Sequence, residues 1–104
     1  FELAKNLLEY NEKKIPLDEI SESRGIEFAE ILSELESIVF SGTKLDIDYY
    51  LDEILDEDQQ EELKEYFLES ESEDILDALE EFDGDYDEEE LRLYRIKFLN
   101  DVSN

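Results

Sequence analysis

The sequence predicts an all-α fold, a compact bundle of about six or seven short helices built around a helix-turn-helix. Apolar residues recur three and four positions apart through most of the chain, which is the spacing of one helical face. The single Pro and the three Gly fall between these patterns, where helices begin or end. The 104 residues, 40% of them hydrophobic, are enough for one domain with a single core.

The N-terminal helices follow from these breaks. A first helix is predicted over residues 1–10. Pro16 cannot continue a helix but suits the first turn of the next one, so a short second helix is predicted over residues 17–24. Gly25 supplies the turn, because Gly adopts left-handed backbone conformations without steric cost. A longer third helix is predicted over residues 27–40.

The helix-turn-helix core is assigned to residues 15–42, and residues 43–102 form the C-terminal helical part of the same single domain, 1–104. We expect the small side chain of Ser21 where the second and third helices cross. The third helix has a broad apolar face, which consists of Phe28, Ile31, Leu32, Leu35, Ile38 and Val39.

Capping boxes divide the C-terminal part into helices. In this motif the N-cap side chain accepts a hydrogen bond from the third helical residue, whose own side chain reaches back. The predicted pairs are Asp56 with Gln59, Ser70 with Glu73, and Asp87 with Glu90. A helix over residues 47–55 precedes the first box.

The last two helices differ in how much of their surface is apolar. The sixth is marked on one side by Ile75, Leu76, Leu79 and Phe82. The last helix, residues 88–102, is apolar on more than one side, so we expect it to be central or docked on another element. A short strand or wing over residues 44–50 remains an alternative, because polar and apolar residues alternate there.

Charge and composition exclude several functions. Nine Lys and Arg against 34 Asp and Glu give a net charge of −25, which disfavours nonspecific binding to a phosphate backbone. Cys and His are absent, which excludes disulfides, thiol and imidazole catalysis, and a zinc site built from these residues. Membrane-spanning runs and a signal peptide pattern are lacking, so we expect a cytoplasmic location. Because the chain also lacks Met, we expect it to be the C-terminal fragment of a longer protein.

An acidic stripe is the first candidate interaction surface. Glu27, Glu30 and Glu34 recur on the side of the third helix opposite its apolar face, where a DNA-reading helix presents its contacts. Two interpretations stay open. The stripe is either a protein-binding or DNA-imitating face, or it is ordinary solvated surface.

A cation cluster of Arg92, Arg95 and Lys97 is the second candidate surface. Arg92 follows Glu88 by four residues, which favours a helix-stabilising ion pair, with a phosphate contact as the alternative. The acidic turn at residues 83–87 resembles the start of a calcium loop, but the Gly and Glu required later in that loop are missing. We therefore predict no catalytic, cofactor-binding or metal-binding residue in this chain.

Several blocks of the sequence resemble a known family. The stretch ISESRGI at residues 20–26, followed by Ile31 and Leu35, is similar to the helix-turn-helix domain at the C-terminus of many bacterial RecQ-type ATP-dependent DNA helicases. The blocks SGTK at residues 41–44 and EEELRLYRIKFL at residues 88–99 look like the tail of the longer RecQ proteins.

This resemblance implies a parent enzyme that unwinds DNA in the 3′ to 5′ direction in recombination and repair. The parent would use ATP, Mg²⁺ and a structural Zn²⁺, all bound outside this segment. The segment itself would be a docking or regulatory domain that contacts the rest of the helicase or a protein partner, with DNA bound through the parent chain and no membrane involved.

The sequence departs from the family pattern on the third helix. Where the family commonly places a Thr and a His on the exposed side, this chain has Glu30 and Glu34. Direct DNA reading by this helix is therefore not expected. The alternative function is a free-standing acidic inhibitor that imitates DNA or binds protein and blocks a nucleic-acid enzyme.

Overall fold

The computed structural model describes residues 2–70 and 74–102, and this part of the chain contains seven helices and no strand. The all-α prediction is confirmed, whereas the alternative of a strand over residues 44–50 is wrong, because a helix begins at Asp48. In chain order the helices are α1 (Glu2–Glu12), α2 (Leu17–Arg24), α3 (Phe28–Phe40), α4 (Asp48–Ile54), α5 (Glu57–Glu69), α6 (Ile75–Phe82) and α7 (Glu88–Val102).

Ser21 and Gly25 form the turn between α2 and α3. Gly25 ends α2 in the left-handed conformation, with a φ of 63°, and its N–H donates to the Ser21 carbonyl. The Ile26 N–H donates to the same carbonyl at 3.1 Å. The Ser21 hydroxyl in turn donates to the Ile26 carbonyl at 2.5 Å. Ser21 therefore satisfies backbone groups at the end of α2, a role that its small size alone did not predict.

Two of the predicted capping boxes are confirmed. At the start of α5 the Gln59 N–H donates to Asp56 at 2.8 Å, and the Gln59 side chain accepts from the Asp56 N–H at 2.9 Å. The same reciprocal pair joins Asp87 and Glu90 at the start of α7, again at 2.8 and 2.9 Å. These caps satisfy backbone donors that would otherwise lack partners.

The third predicted box does not begin α6. Ser70 ends α5, and its predicted partner Glu73 lies outside the described residues. The N-cap of α6 is Asp74, whose carboxylate accepts from the Leu76 N–H at 2.9 Å. The Leu76 side chain is 68% exposed, so it does not belong to the buried face of α6 as predicted; Ala78 is buried there instead.

The central position expected for the last helix is confirmed. α7 packs against α3, α4, α5 and α6, while α1 and α2 pack against α3. Buried residues from all seven helices form one hydrophobic cluster. The residues that α7 buries are Leu91, Leu93, Tyr94, Ile96 and Phe98. They point to more than one side of the helix, which is why α7 shows no single apolar face.

Candidate functional site

α3 leaves only a narrow face open to solvent, because it buries five apolar residues against α1, α2 and α7. The exposed residues along this face are Ala29, Glu30, Ser33, Ser37 and Phe40, of which Phe40 is 66% exposed.

The acidic stripe lies partly along this face and partly at its border with α1. Glu27 and Glu30 are exposed. Glu34 is half-buried and lines a surface depression together with Leu3 of α1. Its Oε2 atom is buried and has no hydrogen-bond partner among the described residues. The outward charge of the stripe therefore comes chiefly from Glu27 and Glu30, and its role as an interaction surface stays a prediction.

Glu36 holds two members of the cation cluster. Arg92 donates to its Oε1 atom at 2.6 Å, and Arg95 donates to its Oε2 atom. The three side chains are only 12% to 17% exposed, so this triad joins α3 to α7 away from bulk water. The predicted pair of Arg92 with Glu88 is wrong, because the guanidinium crosses to α3 and also donates to Ser33 at 3.2 Å.

The triad changes the titration of Glu36. Burial by itself raises the pKa of this carboxyl, because it disfavours the charged form. The hydrogen bonds and positive charges of Arg92 and Arg95 outweigh burial and hold the pKa below its usual value. Glu36 is therefore ionised at neutral pH and neutralises part of the charge of the two arginines.

Lys97 makes a similar link from α7 to α4. Its ammonium donates to Asp48 at 2.5 Å and lies 3.4 Å from Asp101 on α7. Burial lowers the pKa of Lys97, but the two carboxylates reverse this effect and raise it above its usual value. All three residues of the cation cluster are thus engaged with carboxylates of this chain.

The acidic turn at residues 83–87 is organised by internal hydrogen bonds. Tyr86 is buried, and its hydroxyl donates to Glu62 of α5 at 2.6 Å. Asp87 caps α7. Within residues 2–70 and 74–102, no group of three or more acidic side chains is placed to hold a metal ion. No helix in the same ranges has the length and apolar character needed to cross a bilayer.

A groove between α2, α3, α4 and the start of α7 was not predicted. It has a volume of about 420 Å³, and its lining combines apolar and acidic side chains. Phe28 and Tyr50 lie in separate predicted helices, 27–40 and 47–55, and periodicity does not show that the two rings lie 6.3 Å apart. The local sequence signal was only that apolar residues on each helix are flanked by acids.

The comparison with protein families concerns the N-terminal helices, which carry the acidic stripe and part of the groove lining. Residues 6–51 match the family model of the RecQ-1-like helix-turn-helix domain. This part of the chain is a RecQ-type helix-turn-helix domain. The match begins within α1 and ends within α4, and it includes the core predicted at residues 15–42. A comparison with curated proteins finds no match.

Proposed function

We propose that this chain is an accessory docking domain of a RecQ-like ATP-dependent 3′ to 5′ DNA helicase that acts in DNA recombination and repair. The domain contacts the rest of the helicase or a protein partner, and the parent chain supplies DNA binding, ATP hydrolysis and the sites for Mg²⁺ and structural Zn²⁺.

The main support for this proposal is the negative charge on the exposed side of α3. We assign α3 as the second helix of the helix-turn-helix, the helix that enters the major groove in DNA-binding members of this motif. Its exposed face carries Glu30 and no cation, and Glu27, which is also exposed, lies directly before it. Arg92, the cation beside this face, is bound to Glu36.

The balance of charges supports the same conclusion. Protein affinity for DNA depends on Lys and Arg that neutralise phosphates, and even nonspecific complexes have dissociation constants of about 10⁻⁴ to 10⁻⁶ M. Within residues 2–70 and 74–102, four of the nine cations form ion pairs, namely Lys13, Arg92, Arg95 and Lys97. With a net charge of −25, the domain repels a phosphate backbone and attracts basic protein surfaces.

Fluorescence anisotropy with labelled duplex and single-stranded DNA tests this proposal. At about 0.15 M salt, we expect no binding of the 104-residue chain in the micromolar range. The double variant Glu27→Lys and Glu30→Lys should bind more tightly, because it places cations on the exposed start of α3. A control pair on α6, Glu80→Lys and Glu81→Lys, makes the same change in net charge away from α3.

Two results of this titration would overturn the proposal. Micromolar binding by the unmodified chain would show that the helix-turn-helix contacts DNA despite its acids. Equal gains from the α3 and α6 pairs would show that the acids on α3 do not prevent DNA binding. The parent activity is tested separately with the protein made from the full reading frame, which should unwind a 3′-tailed duplex with ATP and Mg²⁺; absence of unwinding would refute that part.

A further inference from the structure

The groove between α2, α3, α4 and α7 has an apolar floor. Phe28 and Ile54 are half-buried, while Tyr50 and Leu93 are 8% and 1% exposed. Its volume of about 420 Å³ lies within the range of roughly 300 to 1,000 Å³ that is usual for ligand pockets. The space is therefore sufficient for one or two side chains of a partner, and its floor can pack against their apolar parts.

The rim of the groove is acidic. Asp18 and Glu22 approach from α2, and Glu89 approaches from the first turn of α7. These three carboxylates form no ion pair or hydrogen bond within the described residues. No Lys or Arg contributes to the described lining. An anionic or nucleic-acid occupant is therefore repelled, and a cationic one is attracted.

The hydroxyl of Tyr50 is a further polar group in the lining of this groove. The side chain is more than nine-tenths buried, yet its hydroxyl has no hydrogen-bond partner among the described residues. Burial, followed by the nearby charges of Asp18 and Glu89, raises the pKa of Tyr50 to about 12. The hydroxyl is therefore protonated at neutral pH, and the negative charges of the rim residues Asp18 and Glu89 act on it. The hydroxyl oxygen itself is not fully shielded from solvent, so a ligand that pairs with it takes the place of water.

We propose that this groove binds an arginine side chain on a basic segment of a partner protein. The inference rests on the proposed docking function and names the chemistry of the partner. Arginine fits better than lysine, because its planar guanidinium stacks on an aromatic ring such as that of the half-buried Phe28 and donates several hydrogen bonds in one plane. The carboxylates of Asp18 and Glu89 accept from it, and the apolar floor contacts its methylene groups and its neighbours.

A pair of matched peptides tests this site. Acetyl-Leu-Arg-Leu-amide is titrated into the ¹⁵N-labelled chain at about 0.15 M salt and followed by NMR. The control is the same peptide with citrulline, which keeps the shape of arginine but lacks its charge. We expect saturable shifts at the amides of α2, α4 and the start of α7, and binding at least about tenfold weaker with citrulline.

Variants of the chain locate the binding. The double variant Asp18→Asn and Glu89→Gln should weaken arginine-peptide binding about tenfold or more, and Tyr50→Phe should weaken it by a smaller factor. Glu65→Gln, which removes one carboxylate at an exposed position on α5 outside the groove, is a control for charge removal and should leave binding unchanged. The amide spectra of the free variants verify that each remains folded.

Three outcomes would overturn the inference: equal binding of the two peptides, shifts outside the groove, or an equal loss with Glu65→Gln and with the groove variant. The test is separable from that of the proposed function. If neither the peptide nor DNA binds to the chain, the groove assignment is wrong but the proposed docking function is not refuted. If the chain binds DNA in the micromolar range, the docking function is wrong whatever the peptide does.

Discussion

α3 and α7 pack against each other but use their charged residues in opposite ways. α3 buries one apolar face, whereas Glu30 and the N-cap residue Glu27 are exposed to solvent. α7 is buried on more than one side, and its cations bind carboxylates on α3 and α4. Three of the nine cations therefore join helices to one another, whereas Glu27 and Glu30 remain exposed to solvent.

The contrast between the two helices explains how a chain with a net charge of −25 folds and which partners it can attract. Exposed ion pairs contribute little to stability, since water and salt screen them, whereas the triad of Glu36 with Arg92 and Arg95 is largely shielded from water. With these cations engaged internally, the outer surface has nearly one sign. Its partners are then expected to be basic.

The largest expected effect comes from disrupting the buried face of α3. Leu35 is 1% exposed, so Leu35→Asp places a carboxylate without a partner in the hydrophobic cluster. Burial of such a group costs several kcal/mol, against a total stability of about 5 to 15 kcal/mol for a small domain. We expect the variant to be unfolded at 25 °C by circular dichroism. Ser37→Asp adds the same group to the exposed face of α3 and should change the stability by less than about 1 kcal/mol. Equal destabilisation by the two variants would show that the faces of α3 are assigned wrongly.

A smaller loss of stability is expected when the ion pairs between α3 and α7 are removed. Glu36→Gln removes the charge that Arg92 and Arg95 share and leaves the two guanidinium groups close together. Loss of one partner from a fully buried ion pair costs about 3 to 5 kcal/mol, which is an upper limit here because the triad is partly exposed. Urea denaturation should show a clear loss of stability.

The matched control for this variant is the exposed pair of Glu9 with Lys13, whose side chains are 58% and 63% exposed. Glu9→Gln should change the free energy of unfolding by about 0.5 kcal/mol or less. If Glu36→Gln is as mild as Glu9→Gln, the α3–α7 triad does not stabilise the fold and the contrast between the two helices loses its energetic basis.

Local signals in the sequence were sufficient for most of the fold. The predicted bounds of α2 and α7 coincide with the observed ones, because Pro16, Gly25 and the Asp87 cap act within a few residues of the helix ends. The cap of α6 was misplaced at Ser70, since Ser and Asp are both good N-caps and local pattern does not choose between them.

The candidate sites depend on contacts that periodicity cannot predict. Arg92 and Glu36 are 56 residues apart. The spacing of apolar residues predicts which face of a helix is buried, but it does not predict which other helix packs against that face. Arg92 was therefore assigned to Glu88, the nearest acid at helical spacing. The groove was not predicted for the same reason. Its lining comes from four helices, and the sequence predicts these helices but not their arrangement in space.

The smallest effect concerns pH and isolates the charge of Glu36 from the rest of the acidic surface. Its pKa in the folded chain is below the usual value of 4.5 that is expected in the unfolded chain, so the stability that it contributes is fully present above that pH. This contribution is lost as the pH falls through the lowered folded value. The stability gap between the unmodified chain and Glu36→Gln should therefore be constant from about pH 7 to pH 5 and should close as the pH falls below about 4.

Measuring the gap, rather than the stability of the unmodified chain alone, is essential to this test. Acid also neutralises the other carboxylates and relieves their mutual repulsion, and this effect is common to both proteins because the variant keeps every other acidic residue. Urea denaturation of the two proteins at each pH gives the difference directly. A gap that persists unchanged to pH 3, or widens in acid, would mean that an ionised Glu36 does not stabilise the contact between α3 and α7.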